Sequence, residues 1–408
     1  MSKSCMCIGV FFDTELWLKY VKKLGYKVIA THPIPITGKI YYNDVKDYID
    51  IFYEVSYFDF DKLLDIAKEN NVDMIVSHPC SNDALIAAGY INTNLNLKGI
   101  SYDAVLNCSS KYDFHSTLVK YDLSRPNFTI KYSEDMDYDI ITYPCIVKPN
   151  FGAGSVGVKL IHNKEELIEF FKTKERDNGY ILDKKKYDYY LIQHYVKGSK
   201  ILACHGVVHS NRIIIFGKTI RDLDKEKNAL PYFYGQEFIT SDDDLTPYTY
   251  KQLNKLLTEL KINNTPFDLE IMVDENNDAK TFIELNLRPA EKGFNHISGR
   301  DGYEYCIKEQ VKLGTDISCN FSEGKIKDFI GIKYFRFKPG TVRTIKWPDL
   351  PNNTLFFDTK LKRDSIIEKN WSNNEAHKNG SIILLDKNIE SIHHTLNSFI
   401  NGINIIYY

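Results

Sequence analysis

Thr281-Phe282-Ile283-Glu284-Leu285-Asn286-Leu287-Arg288-Pro289 alternates apolar and polar side chains with the period of a strand, and its polar positions are Glu284, Asn286 and Arg288. Upstream, Phe267-Asp268-Leu269-Glu270-Ile271-Met272-Val273 alternates in the same way and sets Asp268, Glu270 and Met272 on one face. The polar stretch Asp274–Asp278 joins the two runs into a hairpin, with Phe282, Glu284, Asn286 and Arg288 expected on one face of the second strand. Glu270, Glu284 and Asn286 are thereby brought together across 14 positions (284 − 270). Two carboxylates and an amide oxygen are hard donors suited to Mg²⁺, usually shared with substrate phosphates. A solvated acidic face is the plainer reading, but Ile283 and Leu285 mark a core-like strand where an unpaired Glu284 would be costly. Arg288 beside them has the fork that holds a carboxylate or an acyl phosphate through two bonds.

Working outward, Cys145–Lys148 reads as a strand that runs into Asn150-Phe-Gly-Ala-Gly-Ser-Val-Gly157. Gly152, Gly154 and Gly157 spell GxGxxG, but a dinucleotide site needs a helix to open there, and Val158–His162 alternates as a strand instead. A glycine-rich segment between two strands is a flap whose backbone N–H groups fold over phosphates, with Lys148 as a point charge beside it. No GxxxxGK[ST] is present. Lys164–Lys172 reads as a helix, and Tyr180–Tyr190 as a charged loop. Leu191–Val196, Ile201–Val208 and Arg212–Lys218 are expected as three antiparallel strands. Asp222–Gln236 mixes charge, Pro and Gly and is expected as a long functional loop. Leu253–Leu260 is helical, and the last eighty or so residues are strand-rich with a helix over Ile389–Ile400.

The first hundred residues alternate strand and helix: Cys5–Phe12, Thr14–Leu24, Lys27–Ala30, Phe60–Asn70, Val72–Ser77 and Asp83–Tyr90. This order predicts a parallel sheet with crossover helices, and the turn after Val10 lacks the glycine cluster of a dinucleotide site. The 408 residues exceed one small core, so two or three domains are expected. A formal charge of -2 gives no global field to recruit nucleic acid or a membrane. No run spans a bilayer and the N-terminus lacks a secretory pattern, so the expected location is cytoplasmic. The eight cysteines are scattered without CxxC pairs, which points to buried thiols rather than zinc or disulfides.

Lys111, the Val147-Lys148-Pro149 strand end, the Gly152–Gly157 flap, the Gln193–Val196 segment and Phe282-Ile-Glu-Leu-Asn-Leu-Arg-Pro289 follow the order found in ATP-grasp enzymes, which this chain resembles over most of its length. The resemblance implies a composite α/β fold: an N-terminal domain over 1–110, an ATP-grasp domain over 111–320 with a flap subdomain near 127–215, and a strand-rich C-terminal lobe over 321–408. Tyr334-Phe-Arg-Phe-Lys-Pro-Gly340 resembles the tail of carboxylate–amine ligases that join amino acids. Carried over by position, Lys111 and Lys148 would contact ATP phosphates, and Gly152, Ala153, Gly154, Ser155 and Gly157 would close over them. Gln193, His194, Tyr195 and Val196 would meet adenine through the backbone. Glu270, Glu284 and Asn286 would hold one or two Mg²⁺ (or Mn²⁺) ions, and Arg288 would steady the acyl phosphate. Gln193 stands where many members have an acidic residue, and Lys200 where many place a ribose-binding glutamate.

The reaction so implied joins a carboxylate and an amine, both expected to be small molecules such as amino acids, with ADP and phosphate released. A carboxylating or purine-pathway ATP-grasp enzyme is the alternative, as is a non-catalytic nucleotide-binding protein of the same fold. A homodimer is a common family arrangement. His205 and His209 share a face but have no third ligand nearby, so they read as core or surface residues rather than a zinc pair. Asn295 and His296, just past the metal strand, are candidates for the amino-acid pocket. Lys218 and Arg221 are expected to follow a strand and either meet phosphate or substrate or be solvated.

Overall fold

The computed structural model describes residues 3–10, 14–34, 42–77, 82–152, 157–172, 189–197, 200–223, 233–239, 247–273, 280–288, 329–367 and 379–408. Strands β1 (Ser4–Ile8), β2 (Lys27–His32), β3 (Ile51–Glu54) and β4 (Val72–Ser77) form a parallel sheet of order β3-β2-β1-β4. Helices α1 (Thr14–Lys23), α2 (Tyr42–Val45) and α3 (Phe60–Glu69) lie between its strands in sequence, and α4 (Asn82–Leu95) follows β4. The period of two buries both faces: Cys5 and Cys7 pack with Val28, Ala30, Met74 and Val76, while Met6 and Ile8 pack with Ile29, Leu63 and Ile66. Cys5 and Cys7 are fully buried, and burial pushes the Cys7 thiol up to about 12, so neither is poised as a thiolate.

Two helices that the periodicity did not signal, α5 (Tyr102–Ser109) and α6 (Lys111–Lys120), come next; Ser101 and Ser110 cap them through their hydroxyls. A four-stranded antiparallel sheet follows, built from β5 (Thr129–Lys131), β6 (Cys145–Pro149), β7 (Lys159–Ile161) and β8 (Tyr190–His194) in the order β5-β8-β6-β7. Helix α7 (Lys164–Lys172) covers it through Leu167, Phe170 and Phe171, which pack on Cys145, Val147, Ile161 and Ile192.

The third sheet has eight strands: β9 (Lys200–His209), β10 (Arg212–Leu223), β11 (Phe233–Ile239), β12 (Thr265–Val273), β13 (Lys280–Asn286), β14 (Phe329–Tyr334) and two more over Thr354–Asp358 and Ser381–Asp386. Its order is β13-β12-β9-β10-β11-β14, then Ser381–Asp386 and Thr354–Asp358 at the edge. The C-terminal residues therefore extend the same sheet through the β11–β14 pairing of Gln236 with Ile332 and Glu237 with Gly331. The helix Ile389–Asn401 packs Ile392, Leu396 and Phe399 onto this extension. Beyond it, Gly340–Lys346, Ile366–Ile367 and Asn404–Tyr407 make a small antiparallel sheet. One face of the large sheet presents Leu202, Cys204, Leu269, Ile271, Phe282 and Leu285 to α4, α5, α6 and the helix Pro247–Glu259, a core that includes Leu85, Val105, Phe114 and Leu256. The opposite face carries Ala203, His205, Asp268, Glu270, Glu284 and Asn286.

Three expectations are corrected. Leu191–Val196 is not the first of three strands in one sheet, because β8 pairs with β5 and β6, while β9 and β10 belong to the large sheet. The segment Asp222–Gln236 is strand at both ends, since β10 runs to Leu223 and β11 opens at Phe233; residues 224–232 lie outside the described set. Phe282 does not share a face with Glu284: the β12–β13 ladder pairs Glu270 with Glu284 but Ile271 with Phe282, so Ile283 is the extra residue of a bulge and Phe282 turns into the core, 1% exposed.

Candidate active site

The β12–β13 register sets Glu270 directly opposite Glu284, and Asp268 opposite Asn286. Facing side chains across a ladder have Cβ atoms roughly 4.5–5.5 Å apart, so Glu270, Glu284 and Asn286 form one cluster of oxygen donors. Two carboxylates forced together repel unless a cation shares them, and their hard oxygens fit Mg²⁺. Asn286 and Arg288 are both 8% exposed, so the bulge that turns Phe282 inward leaves the next polar positions, Asn286 and Arg288, in a shielded place.

Positive charge arrives from two other elements. Lys111 is the first residue of α6, and its ammonium lies 4.0 Å from Glu284 Oε2 while donating to the carbonyl of Gly152 at 2.9 Å. The α6 N-terminus thus touches the root of the glycine flap. Asn150 fixes this joint: its Oδ1 accepts from the Tyr112 N–H at 2.9 Å, its Nδ2 donates to Ser110 Oγ at 3.2 Å, and its carbonyl accepts from the Lys111 N–H at 3.2 Å. Asn150 is fully buried. Asn150→Ala leaves the Tyr112 N–H without its acceptor and removes one partner of Ser110 Oγ, and is expected to lower stability by about 1–3 kcal/mol; a denaturant midpoint unchanged from wild type would contradict that anchoring role. At the same place Gly152 holds φ at +149°, a conformation that side chains rarely adopt, and Gly157 holds φ at +71°. Ala153, Gly154 and Ser155 lie outside the described residues.

Lys148, near the end of β6, is 5% exposed and donates to the side-chain oxygen of Gln193 on β8 at 2.7 Å. Burial, and then the neighbouring Lys111 charge, push its ammonium down to about 7 against the pull of Glu284 and Glu270. Lys148 is thus more than a point charge beside the flap: it is seated on an amide. An ammonium only donates, so the Gln193 oxygen must face it, and the Gln193 Nε2 then donates to Thr129 Oγ1 at 2.7 Å. An acidic residue in place of Gln193 would have neutralised Lys148; the amide solvates it without doing so. At the end of β8 the His194 N–H is taken by the carbonyl of Phe128 at 3.0 Å, whereas Tyr195 and Val196 lie past the strand. Within Gln193–Val196, the main chain outside the ladder is therefore that of Tyr195 and Val196.

Lys218 does not follow a strand and is not solvated: it sits inside β10, opposite Cys204 and 4% exposed. Arg221 is likewise within β10, opposite Ile201. Asn295 and His296 lie outside the described residues. His209 meets Asn264 Oδ1 at 3.2 Å and takes no part in this face. His205 does: its Nδ1 lies 3.1 Å from Asp268 Oδ1 and its Nε2 3.0 Å from Thr219 Oγ1. The sequence pattern assigns Asp268 no role, although its alternation with Glu270 on one face is a signal that it neighbours the site. Among the described residues no helix is long and apolar enough to cross a membrane.

Residues 141–295 match the ATP-grasp domain family. The chain is 24% identical over 176 residues to the formate-dependent phosphoribosylglycinamide formyltransferase of Sulfurisphaera tokodaii, covering 43% of this chain and 42% of that protein. It is 30% identical over 118 residues to a D-alanine–D-alanine ligase of Bacillus anthracis, covering 28% of this chain and 33% of that one. The chain thus matches less than half the length of these curated relatives. In three dimensions the L-amino acid ligase of Bacillus licheniformis superposes with a TM-score of 0.77 at 16% identity, over 100% of this chain and 99% of the other.

Proposed function

We propose, from the match of residues 141–295 to the ATP-grasp domain family, that the chain is an ATP-dependent carboxylate–amine ligase, forming an amide or peptide bond between small molecules, amino acids foremost. The observation that carries this reading is the convergence of Glu270 and Glu284, face to face in the β12–β13 ladder, with Lys111 at 4.0 Å and Lys148 close enough to be shifted by them. The superposition on the L-amino acid ligase, with a TM-score of 0.77, supports the amino-acid form. A second reading, a purine-pathway or carboxylating enzyme, is favoured by the longer aligned stretch with the formate-dependent formyltransferase.

Glu270, Glu284 and Asn286 would hold Mg²⁺, which when bound neutralises charge on the transferring phosphoryl group. Lys111 and Lys148 contribute positive charge on the phosphate side, and Gly152–Gly157 would close over it. Main-chain groups of Tyr195 and Val196 would meet the adenine edge. A free carboxylate is a poor electrophile; ATP turns it into an acyl phosphate with a competent leaving group, and the amine then displaces phosphate. Arg288 would hold the acyl phosphate through its fork and stabilise the oxyanion that forms during attack. No protein nucleophile is needed. The division into 1–110, 111–320 and 321–408 and a homodimeric state are part of this proposal.

The test is ADP and phosphate release with Mg·ATP against a matrix of paired amino acids and simple amines, with mass spectrometry of products. A product mass equal to the two substrates minus water supports ligation and names them. ADP release dependent on bicarbonate or formate instead would favour the second reading.

A further inference from the structure

Lys111 opens α6, and Lys148 stands on β6 of the four-stranded sheet. The charge of one ammonium acts on the other, and like charges on separate elements push those elements apart unless something ties them. The Asn150 joint is one tie. A second is made at both ends of β5. Before the strand, the carbonyl of Pro126 accepts from His115 Nε2 on α6 at 3.0 Å. At its far end, Lys131 sets its ammonium 4.1 Å from the centre of the Tyr112 ring and 4.8 Å from that of Tyr189. Both distances are within the range at which the negative face of a ring holds a cation. Tyr112 is the second residue of α6, next to Lys111, and Tyr189 directly precedes β8. Lys131 itself is exposed.

The same strand leads to Lys148. Thr129 and Lys131 point to one face of β5. Thr129 stands opposite Gln193 and accepts from its Nε2 at 2.7 Å, while Gln193 Oε1 accepts from Lys148 at 2.7 Å. Lys131 stands opposite Leu191, and Leu191 opposite Lys148, so the two lysines share one row of the sheet. An unbroken series therefore runs from Lys111 through Tyr112 and Lys131 along β5 to Thr129, Gln193 and Lys148. Resting on the reading of Lys111 and Lys148 as contacts of the ATP phosphates, we infer that Lys131, clasped by Tyr112 and Tyr189, is a positioning residue for nucleotide binding. It fixes the four-stranded sheet against α6 and so sets the spacing of the two phosphate lysines. Lys131 touches no substrate and acts only through this spacing. A clip that merely stiffens the surface would explain the same rings, and nucleotide affinity separates the two roles.

Titration calorimetry of the full chain with Mg·ATP is the test. Lys131→Met is expected to weaken binding about 3- to 10-fold, the scale of one or two exposed cation–π contacts. Lys131→Arg keeps a cation on the rings and should bind within about twofold of wild type. Tyr112→Leu removes the same contact from the helix side and should match Lys131→Met. The comparison that separates positioning from stiffening adds Lys131→Met to Lys111→Met. With Lys111 gone there is no second charge to place, so the further loss should vanish. An unchanged affinity in Lys131→Met, or the same loss with and without Lys111, overturns the positioning role and leaves a surface clip. A wild-type protein that binds no Mg·ATP overturns the nucleotide reading, and this inference with it.

Discussion

Glu284→Gln is expected to cut Mg²⁺-dependent ADP release by about 10²–10³-fold, the loss typical of removing one preorganised electrostatic contact to a charge-bearing transition state. The substitution keeps the shape of the side chain but removes one of two carboxylates that face each other across β12 and β13. It also removes the anion 4.0 Å from Lys111, leaving that lysine on the Gly152 carbonyl. Glu284 is partly accessible, so the fold should tolerate the change, and thermal unfolding near the wild-type temperature would separate a metal effect from unfolding. Unchanged turnover at saturating Mg²⁺ would remove Glu284 from the metal site and with it the argument from the hairpin.

Nucleotide binding is expected to weaken as pH rises through about 7, because Lys148 is held near that value in the free protein by burial and by Lys111. Phosphates favour the charged ammonium, so its ionisation range moves upward in the complex. Below about 7 the lysine is protonated in both states and affinity is at its plateau; above it, binding takes up a proton and affinity falls by up to about tenfold per pH unit. Gln193→Glu supplies the missing anion at the 2.7 Å contact, raises the lysine in the free protein, and should flatten the profile. Calorimetry in buffers of different ionisation enthalpy counts the protons. No uptake in wild type, or the same uptake in Gln193→Glu, would contradict the account. The sign for folding is opposite: a lysine depressed in the native state costs stability below about 7 and regains it as pH rises, so Lys148→Met should stabilise the protein at neutral pH while weakening ATP binding.

Local periodicity made much of this fold legible. Val72–Ser77 and Lys164–Lys172 match their elements at both ends, because each is bounded by residues that stop its pattern. Sheet membership was not legible, since nothing local distinguishes β8, which pairs with β5 and β6, from β9, which pairs with β10 and β12. The bulge at Ile283 was hidden for the same reason: alternation continues through Phe282 in the sequence, and only the partner strand reveals that Phe282 and Glu284 face opposite sides. Helices α5 and α6 were missed because their apolar residues are mixed with polar ones, and their Ser caps rather than their periodicity define them.

At the site, Glu270, Glu284 and Asn286 were legible as a set because a hairpin is a short-range object. The joint of Asn150 with Ser110 and Tyr112 spans about forty residues of sequence, and the pair of His205 with Asp268 spans more than sixty; neither has a local signature. Lys148 was found, but its seat on Gln193 was not, because the spacing of two strands says nothing about which side chains cross between them.

The measurement closest to the central claim follows oxygen rather than product. With the carboxylates of the donor amino acids labelled with ¹⁸O, turnover with Mg·ATP should place one labelled oxygen in each phosphate released, because the acyl phosphate leaves with an oxygen that began on the carboxylate. Phosphate that carries no label while ADP accumulates would mean that water attacks ATP directly, and activation of a carboxylate by this site would be wrong.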